Sequence, residues 1–126
     1  LSNLRHRMNP DCAPAHCTPM HQLSDAALEQ VAEYFRALGE PKRLEILQWL
    51  DQRPYNVSEL AERCACSAAN ISRHLALLTR HGLVARELRS QCAYYRLADP
   101  ALDSLCEHVY QHLARRGTEA LGLSDF

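Results

Sequence analysis

The stretch that decides the fold is Ser58–Pro100, which reads SELAERCACSAANISRHLALLTRHGLVARELRSQCAYYRLADP. Immediately around its start, Asn56 followed three residues later by Glu59 is the pattern of a capping box, in which each side chain bonds the backbone N–H of the other residue. This pattern predicts a short helix that opens after Asn56 and is over by Cys64.

A second helix follows almost at once. Ser67 can cap its N-terminus, Gly82 ends it, and one of its sides is apolar. The apolar side consists of Ile71, Leu75 and Leu78. Because only residues 64–66 separate the two helices, the pair is predicted to form a helix-turn-helix.

Beyond Gly82 the spacing of apolar residues changes to that of strands. Residues 83–88 and 93–97 are β-prone and flank a polar turn, which predicts a hairpin. Further helices are predicted from a Ser24 cap to Leu38, from Pro41 to about residue 51, and from about residue 100 to 116. The predicted fold class is mainly α with a β-hairpin wing, a winged helix-turn-helix.

The composition fits one globular domain, since the 126 residues are 47% hydrophobic and 23% charged. Residues 1–22 contain three prolines and no apolar periodicity. We therefore expect a flexible N-terminal arm containing Cys and His at 1–22, the winged domain at 23–116 and a C-terminal tail at 117–126.

Two classes of protein are disfavoured. The chain has no apolar segment typical of an export signal or a membrane span, so we expect no membrane partner and assign its six cysteines to a reducing cytoplasm. It also lacks the HExxH, CxxC, phosphate-loop and nucleophile-elbow motifs. We therefore predict that it is not an enzyme and takes no small-molecule substrate.

Charge is distributed unevenly along the chain. The formal net charge is −1, yet residues 67–97 contain five arginines and a single acidic residue, Glu87. A uniformly basic protein that coats nucleic acid or membrane is thereby excluded, whereas the segment 67–97 is suited to an anionic partner.

This segment has the residues that a DNA reader needs. A helix fits the DNA major groove, its first turns offer polar side chains to bases, and flanking arginines neutralise phosphates. The candidates in the helix are Ser67, Ala69, Asn70, Ser72 and Arg73, and those in the hairpin are Arg86, Arg89 and Arg96. The alternative interpretation is a solvated helix beside a solvated hairpin.

The same stretch resembles the helix-turn-helix and wing of the ArsR/SmtB family of metal-responsive repressors, and residues 35–47, FRALGEPKRLEIL, resemble its entry helices. The resemblance implies a homodimer paired through its first and last helices. It also implies binding to double-stranded operator DNA and release by an inducer. The wing departs from the family pattern, because Ser90 and Gln91 stand where a Gly-Arg turn is common.

Cysteines are the candidate inducer ligands, since soft thiolates select ions such as Cd(II), Pb(II), Zn(II) or As(III). Some family members bind a thiophilic metal between cysteines of the arm and of the helix-turn-helix. The corresponding candidates here are Cys12, Cys17, Cys64 and Cys66, with His16 and His21 as weaker ones. Two alternatives remain open, a tail with incidental residues and a Cys64 that packs in the core.

A metal-free switch is the competing hypothesis. Cys92 in the wing and Cys106 in the last helix, or an arm cysteine with either, could oxidise to a disulfide or polysulfide and deform the DNA-binding surface.

Overall fold

A computed structural model of the chain describes residues 20–117. The chain divides after Arg36 into two compact units. In the first, a 3₁₀ turn at Met20–Gln22 precedes helix α1 (Asp25–Leu38), whose last two residues belong to the second unit. The Oγ of Ser24 accepts the N–H of Ala27 at 3.1 Å, which confirms the predicted cap.

The second unit contains the winged helix-turn-helix. Its elements are α2 (Pro41–Leu50), β1 (Tyr55–Asn56), α3 (Val57–Arg63), α4 (Ala68–Arg80), β2 (Val84–Arg89), β3 (Cys92–Leu97) and α5 (Leu102–Arg116). The strands form an antiparallel sheet in the order β1-β3-β2. The predicted fold class is confirmed, and the helix boundaries agree with the predicted ones to within two residues.

The caps of the helix-turn-helix are those that the sequence predicts. The backbone N–H of Glu59 donates to Asn56 Oδ1 at 2.8 Å, and the N–H of Asn56 donates to Glu59 Oε1 at 3.0 Å. The N–H of Asn70 donates to Ser67 Oγ at 3.1 Å. Both helices therefore begin where local side-chain bonds satisfy N–H groups that the helix itself cannot pair.

The predicted hairpin is the larger part of a three-stranded sheet. Strand β1 pairs with β3 through Tyr55 opposite Tyr95 and Asn56 opposite Tyr94. A two-residue strand has no period that could be detected in the sequence. The side chain of Tyr55 is 1% exposed, so burial of an aromatic ring accompanies this short pairing.

The core is formed mainly by apolar side chains of α2, α3, α4 and the start of the wing, with additions from the end of α1, from β1 and from the start of α5. Its most deeply buried aliphatic members are Ile46, Leu60, Ile71, Leu75, Leu78 and Leu83. Since three of these six lie on α4, core packing determines which side of that helix remains at the surface. Among residues 20–117, no helix is both long and apolar enough to cross a bilayer.

Candidate nucleic-acid interface

Helix α4 has a buried side and an exposed side. The apolar residues predicted to face inward, Ile71, Leu75 and Leu78, are all 0% exposed. The residues predicted for base reading are at the surface: Ser67, Ala69, Ser72 and Arg73 are exposed and Asn70 is half-buried. The structure thus brings the helix candidates together around the N-terminal half of one solvent-facing helix.

Two of these candidates are bonded to each other. The Nη2 of Arg73 donates to Oδ1 of Asn70, one turn earlier on the helix. An Asn side chain pairs bidentately with adenine through its oxygen and its NH₂ group, and its oxygen can accept two hydrogen bonds. The bond therefore places a guanidinium beside the Asn70 amide and couples the two side chains, which the sequence interpretation treated as separate.

The three arginines of the wing lie on two different faces of the sheet. Arg96 is opposite Ala85 and Arg86 is opposite Tyr95. Because opposite residues share a face and successive residues alternate, Arg89 and Arg96 lie on one face and Arg86 lies on the other. Counting arginines in the sequence could not separate them, since the face depends on the register.

The electrostatic surroundings of these arginines also differ. Arg89 forms an ion pair with Glu87 at 3.2 Å, and its guanidinium lies 5.1 Å from the ring centroid of Tyr94. Arg96 donates to the carbonyl of Leu97 at 3.3 Å. Glu87 partly neutralises the charge of Arg89, so a phosphate would have to compete with it for that guanidinium.

Sequence reasoning missed two basic residues in the first turn of α2. Lys42 Nζ donates to the carbonyl of Cys64 at 2.8 Å and to Glu45 Oε1 at 3.0 Å. Arg43 Nε donates to the carbonyl of Ala37 at 2.6 Å. Cations at a helix N-terminus oppose the helix dipole, so two of them in one first turn were a detectable signal that tertiary partners exist.

Arg43 also reaches helix α4. Its Nη1 lies 3.3 Å from Nδ1 of His74, a half-buried residue of α4 next to Arg73. Burial lowers the pKa of His74, and the positive charge of Arg43 lowers it further. A neutral imidazole can accept this bond at Nδ1, with its proton on Nε2.

The cysteines of the turn before α4 have different environments. Cys64 is 2% exposed, and burial raises the pKa of its thiol to about 11, with the charge of Glu45 contributing in the same direction. It packs as the core alternative predicted, while Cys66 is half-buried in the turn, just before the Ser67 cap of α4. Of the two, Cys66 is thus the more accessible donor for a soft ion.

The arm candidates Cys12, His16 and Cys17 lie outside the described residues. His21 is exposed in the 3₁₀ turn. Within residues 20–117, no group of three or more His, Cys, Asp or Glu side chains is arranged to hold a metal ion. A site made with arm cysteines therefore stays a prediction.

The two cysteines of the redox hypothesis lie on different elements, Cys92 on β3 and Cys106 on α5. Cys92 is exposed at the turn end of β3. Cys106 lines a cavity of about 550 Å³ between α2 and α5, together with Leu97 at the other end of that strand. Five strand residues span about 16 Å, whereas the Cα atoms of a disulfide lie within about 7 Å. This geometry disfavours a disulfide between these two cysteines within one chain.

The first and last helices both expose apolar side chains. On α1, Leu28, Val31 and Phe35 are 45%, 40% and 52% exposed, and on α5, Val109 and Leu113 are 47% and 40% exposed. Leu105, also predicted for this stripe, is half-buried. Periodic apolar stripes of this kind on a single chain are typical of surfaces that a partner covers.

Comparisons with known proteins agree with this architecture. A helix-turn-helix domain family matches residues 38–87. The transcriptional regulator NmtR of Mycobacterium tuberculosis is 33% identical over 107 residues, covering 85% of this chain and 87% of NmtR. The transcriptional repressor SmtB homolog of Synechocystis is 33% identical over 85 residues, covering 68% of this chain and 64% of that protein.

A solved structure gives the same result. The homodimeric winged helix-turn-helix DNA-binding domain Mb0332 of Mycobacterium bovis, a possible ArsR-family regulator, superimposes with a TM-score of 0.66 at 32% identity. The match covers 76% of this chain and 95% of that domain. These relatives are transcriptional regulators, in agreement with the prediction that the chain is not an enzyme. The chain belongs to the ArsR/SmtB family of winged-helix transcriptional regulators.

Proposed function

We propose that this protein is a repressor that binds double-stranded operator DNA through α4 and the wing. The observation that carries the proposal is the exposed N-terminal half of α4, where the bonded Asn70 and Arg73 stand beside small polar residues. Such a face can offer a carbonyl, an amide and a guanidinium to base edges. Arg86, Arg89 and Arg96 would contact phosphates from the wing.

Selection of duplexes from a random library tests this proposal. The reduced protein should enrich a roughly palindromic sequence whose half-sites lie about one helical turn, or 34 Å, apart. Binding of the enriched duplex is then measured by fluorescence anisotropy against a scrambled duplex of the same composition. Equal affinity for the two would contradict operator recognition.

The palindrome requires a homodimer, which we propose forms through the apolar stripes of α1 and α5. Leu28, Val31 and Phe35 on α1 would be covered together with Leu105, Val109 and Leu113 on α5. Burying several such side chains is what a stable protein interface needs.

Sedimentation at micromolar concentration tests the dimer with a matched pair of variants. Val109→Glu places a charge in the stripe and should give a monomer. His108→Glu introduces the same side chain at the neighbouring exposed position, about 100° around the helix, and should remain dimeric. A monomeric wild-type protein would contradict both the dimer and the palindromic operator.

The inducer that we propose is a thiophilic ion of the Cd, Pb, Zn or As(III) class. The ligands would be Cys12 and Cys17 of the arm, residues 1–22, with Cys66 or Cys64 of the domain at 23–116. Cysteines remain reduced in the cytoplasm, where we place the protein. Ligation at the turn before α4 would attach the arm to the segment that orients the DNA-reading helix. A coupling free energy of about 1 to 3 kcal/mol would be enough to release the operator.

An anaerobic titration tests this mechanism. Reduced protein bound to its operator is titrated with Cd(II), Pb(II), Zn(II) and As(III), while thiolate charge-transfer absorbance and operator release are followed together. Cys12→Ser/Cys17→Ser and Cys66→Ser should bind the operator normally and lose release. A fully normal response of the arm variant would contradict the proposed site.

A thiol switch is the second candidate, and the exposure of Cys92 at the wing turn favours it. A peroxide would accept two electrons from Cys92 and an arm thiol to leave a disulfide and water, and an inorganic polysulfide would transfer a sulfane sulfur to Cys92 to leave a persulfide. Either product would change the wing without a metal. If Cys92→Ser or Cys106→Ser abolishes release while Cys66→Ser responds normally, the thiol switch is the better account.

A further inference from the structure

The first turn of α2 contains an arrangement that its own helix disfavours. Lys42 and Arg43 are adjacent there, and no acidic residue accompanies them in that turn. The partial positive charge of a helix N-terminus repels cations. Both side chains are half-buried, and besides the Lys42–Glu45 ion pair, their contacts with other elements offset this repulsion.

Lys42 binds the turn of the helix-turn-helix. Its Nζ donates to the carbonyl of Cys64 at 2.8 Å, where α3 ends. The last carbonyls of a helix have no partner within it and attract cations. Ala65, the next residue, has a φ of 54°, so the bond holds the chain at the point where it reverses toward α4.

Arg43 binds two other helices. Its Nε donates to the carbonyl of Ala37 in the last turn of α1 at 2.6 Å, and its Nη1 lies 3.3 Å from Nδ1 of His74 on α4. His74 lies between Arg73, which faces solvent, and Leu75, which is 0% exposed. The contact therefore holds α4 at the boundary between its DNA-facing side and its core-facing side.

We propose that Arg43, assisted by Lys42, is a positioning residue for operator recognition. It fixes the rotation of α4 relative to the ends of α1 and α2 through His74. This proposal rests on the proposed function, because it concerns how a dimer presents two reading helices at a set separation. Arg43 would act without contacting a base, by limiting the range of orientations that α4 adopts.

A specific consequence follows for operator spacing. Two recognition helices of fixed orientation tolerate a narrow range of distances between half-sites. Helices that are free to rotate lose affinity for the correctly spaced operator and lose discrimination against other spacings. The affinity for non-specific DNA depends mainly on contacts between positive side chains and phosphates. It should therefore fall only by the amount expected from removing the single positive charge of Arg43.

The experiment compares the selected operator with two versions in which the spacer is one base pair longer or shorter. Anisotropy titrations at fixed salt give the ratio of affinities, and thermal unfolding gives the melting temperature. We define the spacing ratio as the affinity for the correct operator divided by the affinity for an operator with the altered spacer. For Arg43→Gln, we expect about tenfold weaker binding to the correct operator and a spacing ratio that falls toward one. Arg115→Gln removes the same charge from an exposed position on α5 and should leave the ratio unchanged.

Substitutions at His74 separate positioning from general stability. His74→Gln retains an acceptor for Arg43 and should keep most of the spacing ratio, whereas His74→Leu has no acceptor and should lose it. Arg43→Lys keeps the charge but lacks the fork that reaches two acceptors, so it should resemble Arg43→Gln. If Arg43 only stabilised the fold, Arg43→Gln would lower the melting temperature and leave the spacing ratio unchanged.

Two failures of this experiment are distinguishable. If the wild-type protein shows no spacing preference, the operator-binding dimer is wrong and the inference falls with it. If the wild-type protein discriminates and both Arg43→Gln and His74→Leu discriminate equally well, only the positioning role is overturned.

Discussion

The turn of the helix-turn-helix and the turn of the wing share an unusual backbone conformation but differ in how it is supported. Ala65 has a φ of 54° and Ser90 a φ of 57°, in the left-handed region that favours glycine. The first turn is next to the buried Cys64, whose carbonyl Lys42 binds. The second turn is exposed, and it is held by the hairpin itself, because its two residues connect Arg89 to Cys92, which are paired across the strands.

We expect this difference to separate two tasks within the proposed DNA-binding surface. A turn fixed by the core and by α2 gives the α4 side chains that we propose to read bases a constant position, which base recognition requires. A turn fixed by its own strand ladder leaves the wing to adapt to phosphates, whose contacts tolerate small displacements. It follows that chemistry at Cys66 should act on sequence recognition, whereas chemistry at Cys92 should act on general affinity.

The largest expected effect tests this division of tasks at Arg73 and Arg86. Arg73→Ala should cost about 1 to 3 kcal/mol of operator binding and relax sequence preference at one position. Arg86→Ala should weaken all duplexes alike and reduce the slope of log affinity against log salt by about one. Anisotropy titrations of specific and scrambled duplexes at several salt concentrations measure both quantities.

The double variant provides the opposing outcome for this prediction. Full operator affinity after both substitutions would show that neither α4 nor the wing carries the interface. If Arg86→Ala relaxes sequence preference as much as Arg73→Ala, the proposed separation between reading and phosphate binding is wrong.

Substitutions at two cysteines should differ in their effect on the free energy of unfolding by a similar amount. Cys64→Ser places a hydroxyl in the core and should lower the free energy of unfolding by about 1 to 3 kcal/mol, because a buried polar group loses its water. Cys92→Ser, at the exposed turn, should change it by less than about 0.5 kcal/mol. Urea denaturation measures both, and equal effects would place the two cysteines in equivalent surroundings.

The raised pKa of Cys64 predicts a pH dependence of stability. Burial raises the pKa of this thiol from 9.0 to about 11. The folded protein favours the neutral thiol, so the contribution of Cys64 to the free energy of unfolding is fully present below about pH 9. This contribution is lost as the pH rises through 11, because the unfolded chain gains stability from the thiolate. Urea denaturation of wild type and Cys64→Ala between pH 8 and 11 should show a steeper loss of stability for the wild type. Parallel curves would mean that Cys64 does not titrate differently in the folded protein.

The sequence predicted the features that depend on near neighbours. The capping box of Asn56 and Glu59, the Ser67 cap and the apolar side of α4 are each contained within one helix. Strand β1 was not predicted, because it forms by pairing Tyr55 with Tyr95, which is forty residues away in the sequence. The same holds for Arg43, whose partner His74 lies on another helix, although its place in a helix first turn was a usable signal.

The division of the wing arginines shows a second limit. Arg86, Arg89 and Arg96 are equivalent in composition, and their assignment to two faces of the sheet required the strand register. The burial of Cys64 was left open for a related reason, since a cysteine serves equally as a core residue and as a ligand. The burial of Cys64 in the folded domain distinguishes these roles.

The smallest expected effect tests the two turns directly. Glycine adopts a positive φ without strain, so Ala65→Gly and Ser90→Gly should each raise the free energy of unfolding by about 0.5 to 1 kcal/mol after the entropy that glycine adds to the unfolded chain. Because the first turn positions α4 and the second does not, only Ala65→Gly should alter the spacing preference of operator binding. Urea denaturation combined with the operator series measures both effects. A change in spacing preference with Ser90→Gly, and none with Ala65→Gly, would assign the rigid turn to the wing and reverse the comparison.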